Sequence, residues 1–464
     1  MIDMPFLPYG FFSVIERSME GPRCKDKDFD MLIVKKTLEL LKKYNIKYDP
    51  NNPVPSDDDM ADAVFRAGKE LYLETGTFCI DTERQIKFEE WEIDEALKAV
   101  PGEMVLGGGR DAARMIARRP DDKRRSIICG GPKGCPLSED LYVKVINSFA
   151  QEPMVDVCVA GSLQTIAGKR IKWGTPLEIF ATKREATFLR EAIKRAGRPD
   201  VHLIGTGTGF SAYGEMAASA PDGMRPSDGR MISTIAELKI DYPNGLNKVA
   251  HFLEYGCPIQ ALATPIIGGL GGGPEGTAIV TIANLLQGVM VLQAVYNLYV
   301  AFPGLRFVAN SERSAIWTNS IVTQGLSRNT HMLLMPDPSG IAGPCTDMLF
   351  YELAAPTLAL ITSGGNLETA AAAEDKYLDR CATGMEARLC GEVAHAAEKL
   401  SRKDANEIVK KILPKYEERQ NKRTEPPGKK FPECYNLESL RPSEEYTKIY
   451  NDVKKDLKDM GVPF

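Results

Sequence analysis

The sequence predicts a (β/α)8 barrel with helical extensions at both ends. Between residues 126 and 365, short apolar runs that end in glycine, proline or polar residues alternate with segments of helical character. The runs are continuously apolar, which is typical of parallel strands buried on both faces. Eight strands that alternate with helices match a closed barrel, and a doubly wound open sheet remains the alternative. The predicted strands are 126–131, 155–161, 201–207, 233–240, 258–265, 305–311, 331–336 and 357–365.

Helical periodicity dominates the chain on both sides of these runs. Residues 28–46 carry apolar side chains at helical spacing, and Ser56 precedes an acidic first turn, which is typical of a capped helix. After residue 380 the chain again becomes charged and helical. The sequence therefore predicts a helical N-terminal extension (1–120), a barrel (121–380) and a helical C-terminal extension (381–464).

Composition excludes several classes of protein. A net charge of −5 does not indicate the basic surface that nucleic-acid-binding proteins carry. Ten cysteines occur singly, without a C-x-x-C motif, and the N-terminus lacks the basic start of a signal peptide, so we expect reduced thiols and a cytoplasmic protein. Residues 278–302 carry no charge over a length that suits a membrane span. Recurrent Thr, Asn and Gln there favour a helix buried against the barrel or at a subunit interface, and no membrane contact.

The stretch VHLIGTGTGFSAYGEMA, residues 201–217, has the glycine spacing of a dinucleotide-binding loop. It lacks the second strand and terminal acid that such a site needs, and it follows the third predicted strand instead of the first. In a barrel, the loops after the strands form the mouth, where glycine lets backbone approach a ligand. We therefore expect Gly205 and Gly207, and Gly269 and Gly271 in a second glycine-rich loop, to line a mouth that receives a large or planar ligand or a partner.

Other catalytic motifs are sparse. No metal-ligand spacing and no G-x-S-x-G nucleophile motif occurs. The candidate acids and bases at the ends of predicted strands are Glu237, Glu312, Arg313 and Asp337. These residues alone indicate a barrel enzyme whose pocket has few polar groups.

Several motifs resemble the monomethylamine methyltransferases of methanogens. They include GGPKGCPLSED, AELKID, AGPCTDM and TGMEARLCGEVA, and the resemblance runs from about residue 20 to the C-terminus. The resemblance implies a (β/α)8 barrel that assembles as a hexamer. It also implies transfer of a methyl group from methylamine to the Co(I) corrinoid of a small partner protein, which docks over the barrel mouth. We accordingly expect a corrinoid cofactor, carried by a partner or free, and a small methylated amine as substrate.

The resemblance also shows where this chain departs from the family. Members carry pyrrolysine at the end of the third strand, where its electrophilic ring captures the amine, and an ungapped count from AGRP places Ile204 there. Met231 and Leu262 align with family glutamates, and Asp337 aligns with a glutamine. An apolar wall of Ile204, Met231 and Leu262, with Asp337 as the one remaining acid, argues against methylamine as substrate.

The predicted function is therefore methyl transfer without pyrrolysine, from a quaternary ammonium to a corrinoid protein. Asp337 would hold the cation, Glu237 and Arg313 would be polar pocket residues, and Tyr213, Phe210 and Phe307 could line the pocket. Two alternatives remain. The donor could be a thioether or a methylated amino acid whose carboxylate binds Arg313, or the chain could be a non-catalytic relative that binds a corrinoid protein.

Overall fold

The computed structural model describes residues 10–235, 237–304, 309–368 and 378–464. Helices account for nearly half of this described chain. They are α1 (Gly10–Glu20), α2 (Asp26–Tyr44), α3 (Asp58–Thr75), α4 (Glu90–Ala99), α5 (Glu139–Ala150), α6 (Pro176–Arg195), α7 (Ala212–Ala218), α8 (Asn247–Tyr255), α9 (Pro274–Met290), α10 (Arg313–Asn329), α11 (Asp347–Thr362), α12 (Gly384–Ala397), α13 (Arg402–Ile412), α14 (Glu417–Lys422), α15 (Phe431–Cys434) and α16 (Glu444–Met460).

Two four-stranded parallel sheets form the centre of the fold. Their strands are β1 (Ile128–Gly130), β2 (Val157–Val159), β3 (His202–Ile204), β4 (Arg230–Ser233), β5 (Ile259–Ala263), β6 (Tyr296–Tyr299), β7 (Leu333–Pro336) and β8 (Leu367–Glu368). In one sheet the strand order is β8-β1-β2-β3, and in the other it is β4-β5-β6-β7.

Backbone hydrogen bonds join the two sheets into a closed barrel. Between β3 and β4, the Gly205 amide donates to the Gly229 carbonyl at 2.9 Å, and the Gly229 amide donates to the Leu203 carbonyl at 2.8 Å. Between β7 and β8, the Asn366 amide donates to the Leu334 carbonyl at 2.9 Å. All eight strands are parallel, so their carboxyl ends meet at one mouth. The predicted (β/α)8 barrel is confirmed, and the open-sheet alternative is excluded.

A hairpin from the N-terminal part closes the other end of the barrel. Its strands, Glu103–Leu106 and Ala113–Ile116, are antiparallel. Leu106 and Met115 are fully buried in the cluster that fills the barrel interior. Because apolar side chains seal this end, a ligand reaches the interior from the mouth.

Helices cover the outside of the barrel. In the N-terminal part, α3 packs on α9 and α10; in the C-terminal part, α13 and α16 pack on α11. Helix α12 packs on α5 and α11, in the position of the helix that follows the eighth strand, although it lies beyond the predicted boundary at 380. The division into three parts stays a prediction.

Three predicted strands are wrong in position. The fourth strand is Arg230–Ser233 and not 233–240. The end of the predicted segment, Lys239–Ile240, instead forms a short strand that pairs with Thr77–Cys79 outside the barrel. The eighth is Leu367–Glu368, because most of 357–365 continues α11. The sixth is Tyr296–Tyr299 and not 305–311, and residues 305–308 lie outside the described residues. Continuous apolar runs suit a buried helix and a buried strand equally, which explains these errors.

The uncharged segment 278–302 is not one helix. Helix α9 ends at Met290, Gln293 adopts a positive φ of 56°, and β6 follows. The helical half is buried against α3 and α10, as expected for a barrel helix. Among the described residues, no helix is both long and apolar enough to cross a membrane.

Replacement of Gly229 tests the closure between β3 and β4. A Cβ at this position would overlap the Tyr296 hydroxyl, so we expect Gly229→Ala to lower the free energy of unfolding by about 1–3 kcal/mol in urea denaturation. Adding Tyr296→Phe removes the overlapping oxygen, which has no hydrogen-bond partner among the described residues, and should restore part of the loss. Gly108→Ala, where the nearest atom would be 3.8 Å away, is the control. Equal stabilities of Gly229→Ala and the unmodified chain would contradict this account of the closure.

Candidate active site

A cavity of about 540 Å³ opens at the carboxyl ends of the barrel strands. Its volume lies in the range of small-molecule sites. All eight strands or the loops directly after them contribute to the lining. The lining residues used below are Lys133, Ile204, Gly205, Gly207, Gly209, Phe210, Glu215, Met231, Asn244, Lys248, Leu262, Asp337 and Glu368.

Two buried glutamates from α6 bind the glycine loop that follows β3. Glu185 accepts hydrogen bonds from the Gly207 amide at 2.7 Å and from the Thr208 hydroxyl. Glu178 accepts from the Ser211 amide at 2.7 Å and from its hydroxyl at 2.8 Å. Amides of a dinucleotide-binding loop must be free to bind pyrophosphate. Here they are occupied by carboxylates, so the glycines shape the mouth and do not form a phosphate site.

A polar cluster spans the mouth ends of β1, β7 and β8. The Lys133 ammonium pairs with the Asp337 carboxylate and donates to the Glu368 carbonyl at 2.7 Å. Asp337 also accepts from the Ser339 hydroxyl at 3.0 Å. The Gln260 amide, from β5, donates to Oε2 of Glu368 at 2.8 Å. Oε1 of Glu368 has no hydrogen-bond partner among the described residues.

Burial controls the protonation of the two carboxyls in this cluster. It raises the pKa of Glu368 to about 7, and the nearby Lys133 only partly opposes this rise. Burial also raises the pKa of Asp337, against the opposing effect of its pair with Lys133. With Lys133 and Asp337 paired, a protonated Glu368 leaves this side of the cavity close to neutral when the site is empty.

An apolar wall occupies the strand ends opposite this cluster. Ile204 ends β3, Met231 lies within β4, and Leu262 lies within β5. All three line the cavity together with Asp337, as the sequence predicts. Ile204 and Leu262 cannot accept a hydrogen bond, and the Met231 thioether is only a weak acceptor, so an N–H group directed at the wall would be poorly paired.

A second charged group lies beside the glycine loop. Glu215 pairs with the buried Arg230 at 3.2 Å and accepts from the Thr206 hydroxyl at 2.8 Å. Lys248, on α8, donates to the Gly209 carbonyl at 3.2 Å. Phe210 stacks on Trp173 at 3.8 Å between ring centroids, and both rings are exposed at the rim.

Several predicted site residues lie outside the cavity. Glu237 is buried beneath the second glycine-rich loop, close to Gly269, and neither Gly269 nor Gly271 reaches the lining. Arg313 pairs with Glu417 at 2.5 Å on the outside of the barrel. Tyr213 is an exposed rim residue, whereas Phe210 does line the cavity. Phe307 lies outside the described residues.

The prediction that Asp337 is the one remaining acid in the pocket is wrong. Glu368 and Glu215 also line the cavity, and Asp337 is already paired with Lys133. Glu368 escaped detection because the eighth strand was placed too early in the sequence. Lys133 was not predicted as a site residue because a single lysine in the loop GGPKGCP belongs to no known motif. Its position directly after β1 could have indicated a place at the barrel mouth.

The described residues contain no cluster of three or more His, Cys, Asp or Glu side chains that could hold a metal ion. None of the ten cysteines, all of which lie in the described residues, forms a disulfide, and nine of them are buried.

The pH dependence of stability tests the environment of Glu368. Its folded pKa of about 7 lies above the ordinary value of 4.5, so the stability contributed by the neutral carboxyl is fully present below about pH 4.5 and is lost as pH rises through 7. Relative to Glu368→Gln, the unmodified chain should lose about 3 kcal/mol of unfolding free energy between about pH 4.5 and 8. Urea denaturation across this range measures the difference.

Glu16→Gln on the exposed face of α1 is the control for this experiment, and it should leave the profile unchanged within about 0.5 kcal/mol. Parallel profiles for the unmodified chain and Glu368→Gln would show that Glu368 titrates normally in the folded protein.

Comparison with known proteins identifies the family. The model of the monomethylamine methyltransferase MtmB family matches residues 10–462. The chain is 34% identical to monomethylamine methyltransferase MtmB of Methanosarcina mazei and to MtmB2 of Methanosarcina barkeri, over 98% of each chain. It superposes on the crystal structure of the Methanosarcina barkeri enzyme with a TM-score of 0.92, and on a hydroxylamine complex of MtmB with a TM-score of 0.93, at 34% identity and 98% coverage of both chains. The chain thus belongs to the monomethylamine methyltransferase MtmB family.

Proposed function

We propose that this chain transfers a methyl group from a quaternary ammonium compound to the Co(I) corrinoid of a partner protein, without pyrrolysine. The observation that carries the proposal is the composition of the cavity. The side chains of Ile204, Met231 and Leu262 form one wall, and the carboxyls of Asp337 and Glu368 lie on the other side. Membership of a methylamine methyltransferase family supplies the reaction class, and the cavity residues argue for a different donor.

The apolar wall discriminates between amines by their N–H groups. A methylammonium ion brings three N–H donors, and a buried donor without a partner costs about 1–3 kcal/mol. A quaternary ammonium has no N–H group, so contact with Ile204, Met231 and Leu262 carries no such cost. The same contacts therefore disfavour a primary amine relative to a quaternary one.

Leaving-group chemistry points in the same direction. In an in-line displacement, the C–N bond breaks and its electron pair stays on nitrogen. A quaternary ammonium then departs as a neutral tertiary amine, which needs no proton and no covalent activation. A primary amine leaves poorly without activation, and Ile204 offers no electrophile at the end of β3. The protein's contribution is then to hold the methyl carbon in line with the metal.

The carboxyls on the opposite side provide the counter-charge. Oε1 of Glu368 is buried and unpaired among the described residues, and its carboxyl is poised to ionise near neutral pH. A cation in the cavity favours the ionised form. The Asp337 carboxylate is already paired with Lys133, so it offsets the charge of a bound cation only in part. The ionised Glu368 supplies the remaining negative charge.

The mouth suits a corrinoid presented by a partner. Gly134, Gly205, Gly207 and Gly209 line the opening without side-chain bulk, and the exposed Trp173–Phe210 stack lies at its rim. When bound, the corrinoid supplies the Co(I) nucleophile that accepts the methyl group. Docking of a corrinoid protein here, assembly as a hexamer and a cytoplasmic location remain predictions.

A methylation assay with cob(I)alamin, followed by absorbance as methylcobalamin forms, tests the proposal. The panel contains mono-, di- and trimethylamine, tetramethylammonium, choline, betaines and thioethers. We expect turnover with quaternary ammonium compounds and none with methylamine. Glu368→Gln should lower kcat/KM for the active donor by about 10- to 100-fold, because it removes the ionisable counter-charge.

Glu352→Gln is the matched control, since Glu352 is equally buried with a pKa raised to about 7 but lies outside the cavity lining. Its kcat/KM should stay within about twofold of the unmodified chain. Turnover of methylamine would contradict the proposal. Absence of turnover across the panel, also with a corrinoid partner protein, would instead favour the non-catalytic alternative.

A further inference from the structure

Opposite charges lie on opposite sides of the cavity. The carboxyls of Asp337 and Glu368 follow β7 and end β8. Lys248 lies on α8, which follows β4. In a closed barrel of eight strands, the fourth and eighth strands face each other across the axis. Glu368, beside the Lys133–Asp337 pair, therefore lies across the cavity from Lys248, which lies beside the Glu215–Arg230 pair.

Lys248 reaches the cavity through an irregular turn. A π-helical turn, Tyr242–Leu246, runs directly into α8, and Asn244 from this turn lines the cavity beside Lys248. Turns of this kind occur frequently at functional sites. The Lys248 side chain is only 7% exposed, and its ammonium lies 5.8 Å from the centre of the Phe210 ring.

The Lys248 ammonium has hydrogen-bond donors without a partner among the described residues. It makes one hydrogen bond, to the Gly209 carbonyl at 3.2 Å, although an ammonium has three donors. No described carboxylate lies within ion-pair distance, and Glu178, Glu215 and Asp241 act on it only at longer range. Each of these three carboxylates already accepts hydrogen bonds from other groups.

Burying a cation without a bonded counter-ion costs free energy, unless a ligand supplies the missing negative charge. Lys133 shows the contrast, since the same cavity pairs that lysine with Asp337. Within the described residues, Lys248 thus has two donors left and no bonded carboxylate, whereas Lys133 has one donor left and is paired with Asp337. One free ammonium matches one monoanionic group, and a carboxylate is the form such a group takes on a small amine.

We propose that the methyl donor carries a carboxylate as well as its quaternary ammonium, and that Lys248 binds this carboxylate. The inference rests on the proposed function and specifies its substrate class as a small zwitterion. The ammonium then lies toward Glu368 and Asp337, and the carboxylate lies toward Lys248. Two anchored ends fix the orientation of the donor, which determines the methyl group that faces the mouth.

Transfer leaves the carboxylate unchanged. The C–N bond breaks, its electron pair remains on nitrogen, and the methyl group goes to the Co(I) acceptor. The product is a tertiary amine that still carries its carboxylate. Lys248 takes part in no bond change, so it acts as a specificity residue for binding.

Equilibrium binding without corrinoid separates this inference from turnover. Isothermal titration calorimetry compares trimethylammonioacetate with its methyl ester and with tetramethylammonium. We expect the unmodified chain to bind the carboxylate at least tenfold more tightly than the ester. Lys248→Met should abolish this difference and leave the affinity for tetramethylammonium within about twofold, whereas Lys248→Arg should retain part of it. Lys69→Met, on α3 outside the cavity, is the matched lysine control.

The outcomes are distinguishable. Equal affinities for the acid and its ester in the unmodified chain would overturn the role of Lys248, even if no variant folded. Lys248→Met weakening all three compounds equally would also overturn it. In both cases, turnover of a quaternary compound would leave the proposed function standing. No binding and no turnover of any quaternary compound would overturn both.

Discussion

Closure of two four-stranded parallel sheets into one barrel is the constraint on which the site depends. Hydrogen bonds at Gly229 and at Asn366 complete the ring, and the hairpin that carries Leu106 and Met115 seals the end opposite the mouth. The carboxyl ends of the strands then meet around one opening. This arrangement brings Lys133 and Glu368, which are far apart in the sequence, into hydrogen-bond contact. An open sheet would keep its first and last strands apart.

Charge balance inside the closed barrel then shapes the chemistry. Lys133 and Asp337 neutralise each other, while burial keeps Glu368 close to its point of ionisation. Removing a charge from water is costly, so a buried site holds an ion best when the site carries the opposite charge. The carboxyl of Glu368 can meet this condition for a cation by losing its proton, and it can remain neutral when the cavity is empty. In the proposed function, the apolar wall around Ile204 adds selection against donors that carry N–H groups.

Sequence reasoning reached the architecture but not the full site. The repeated apolar runs were sufficient to predict the barrel. The family resemblance indicated Ile204, Met231, Leu262 and Asp337 as pocket residues, and all four line one cavity in the structure. Runs of apolar residues do not separate buried helix from buried strand, so the eighth strand was misplaced and Glu368 was overlooked. An ion pair that forms only on folding cannot be read from a sequence. For this reason the pairing of Arg313 with Glu417 was not predicted.

The central claim is that the cavity holds a cationic methyl donor against a carboxyl that loses its proton. Calorimetric titration with tetramethylammonium near pH 6, in buffers of different ionisation enthalpy, counts the protons released on binding. Because the pKa of Glu368 is about 7, the account predicts release of close to one proton per bound cation, and none from Glu368→Gln. A binding enthalpy that does not depend on the buffer, or no binding of the cation, would contradict the account.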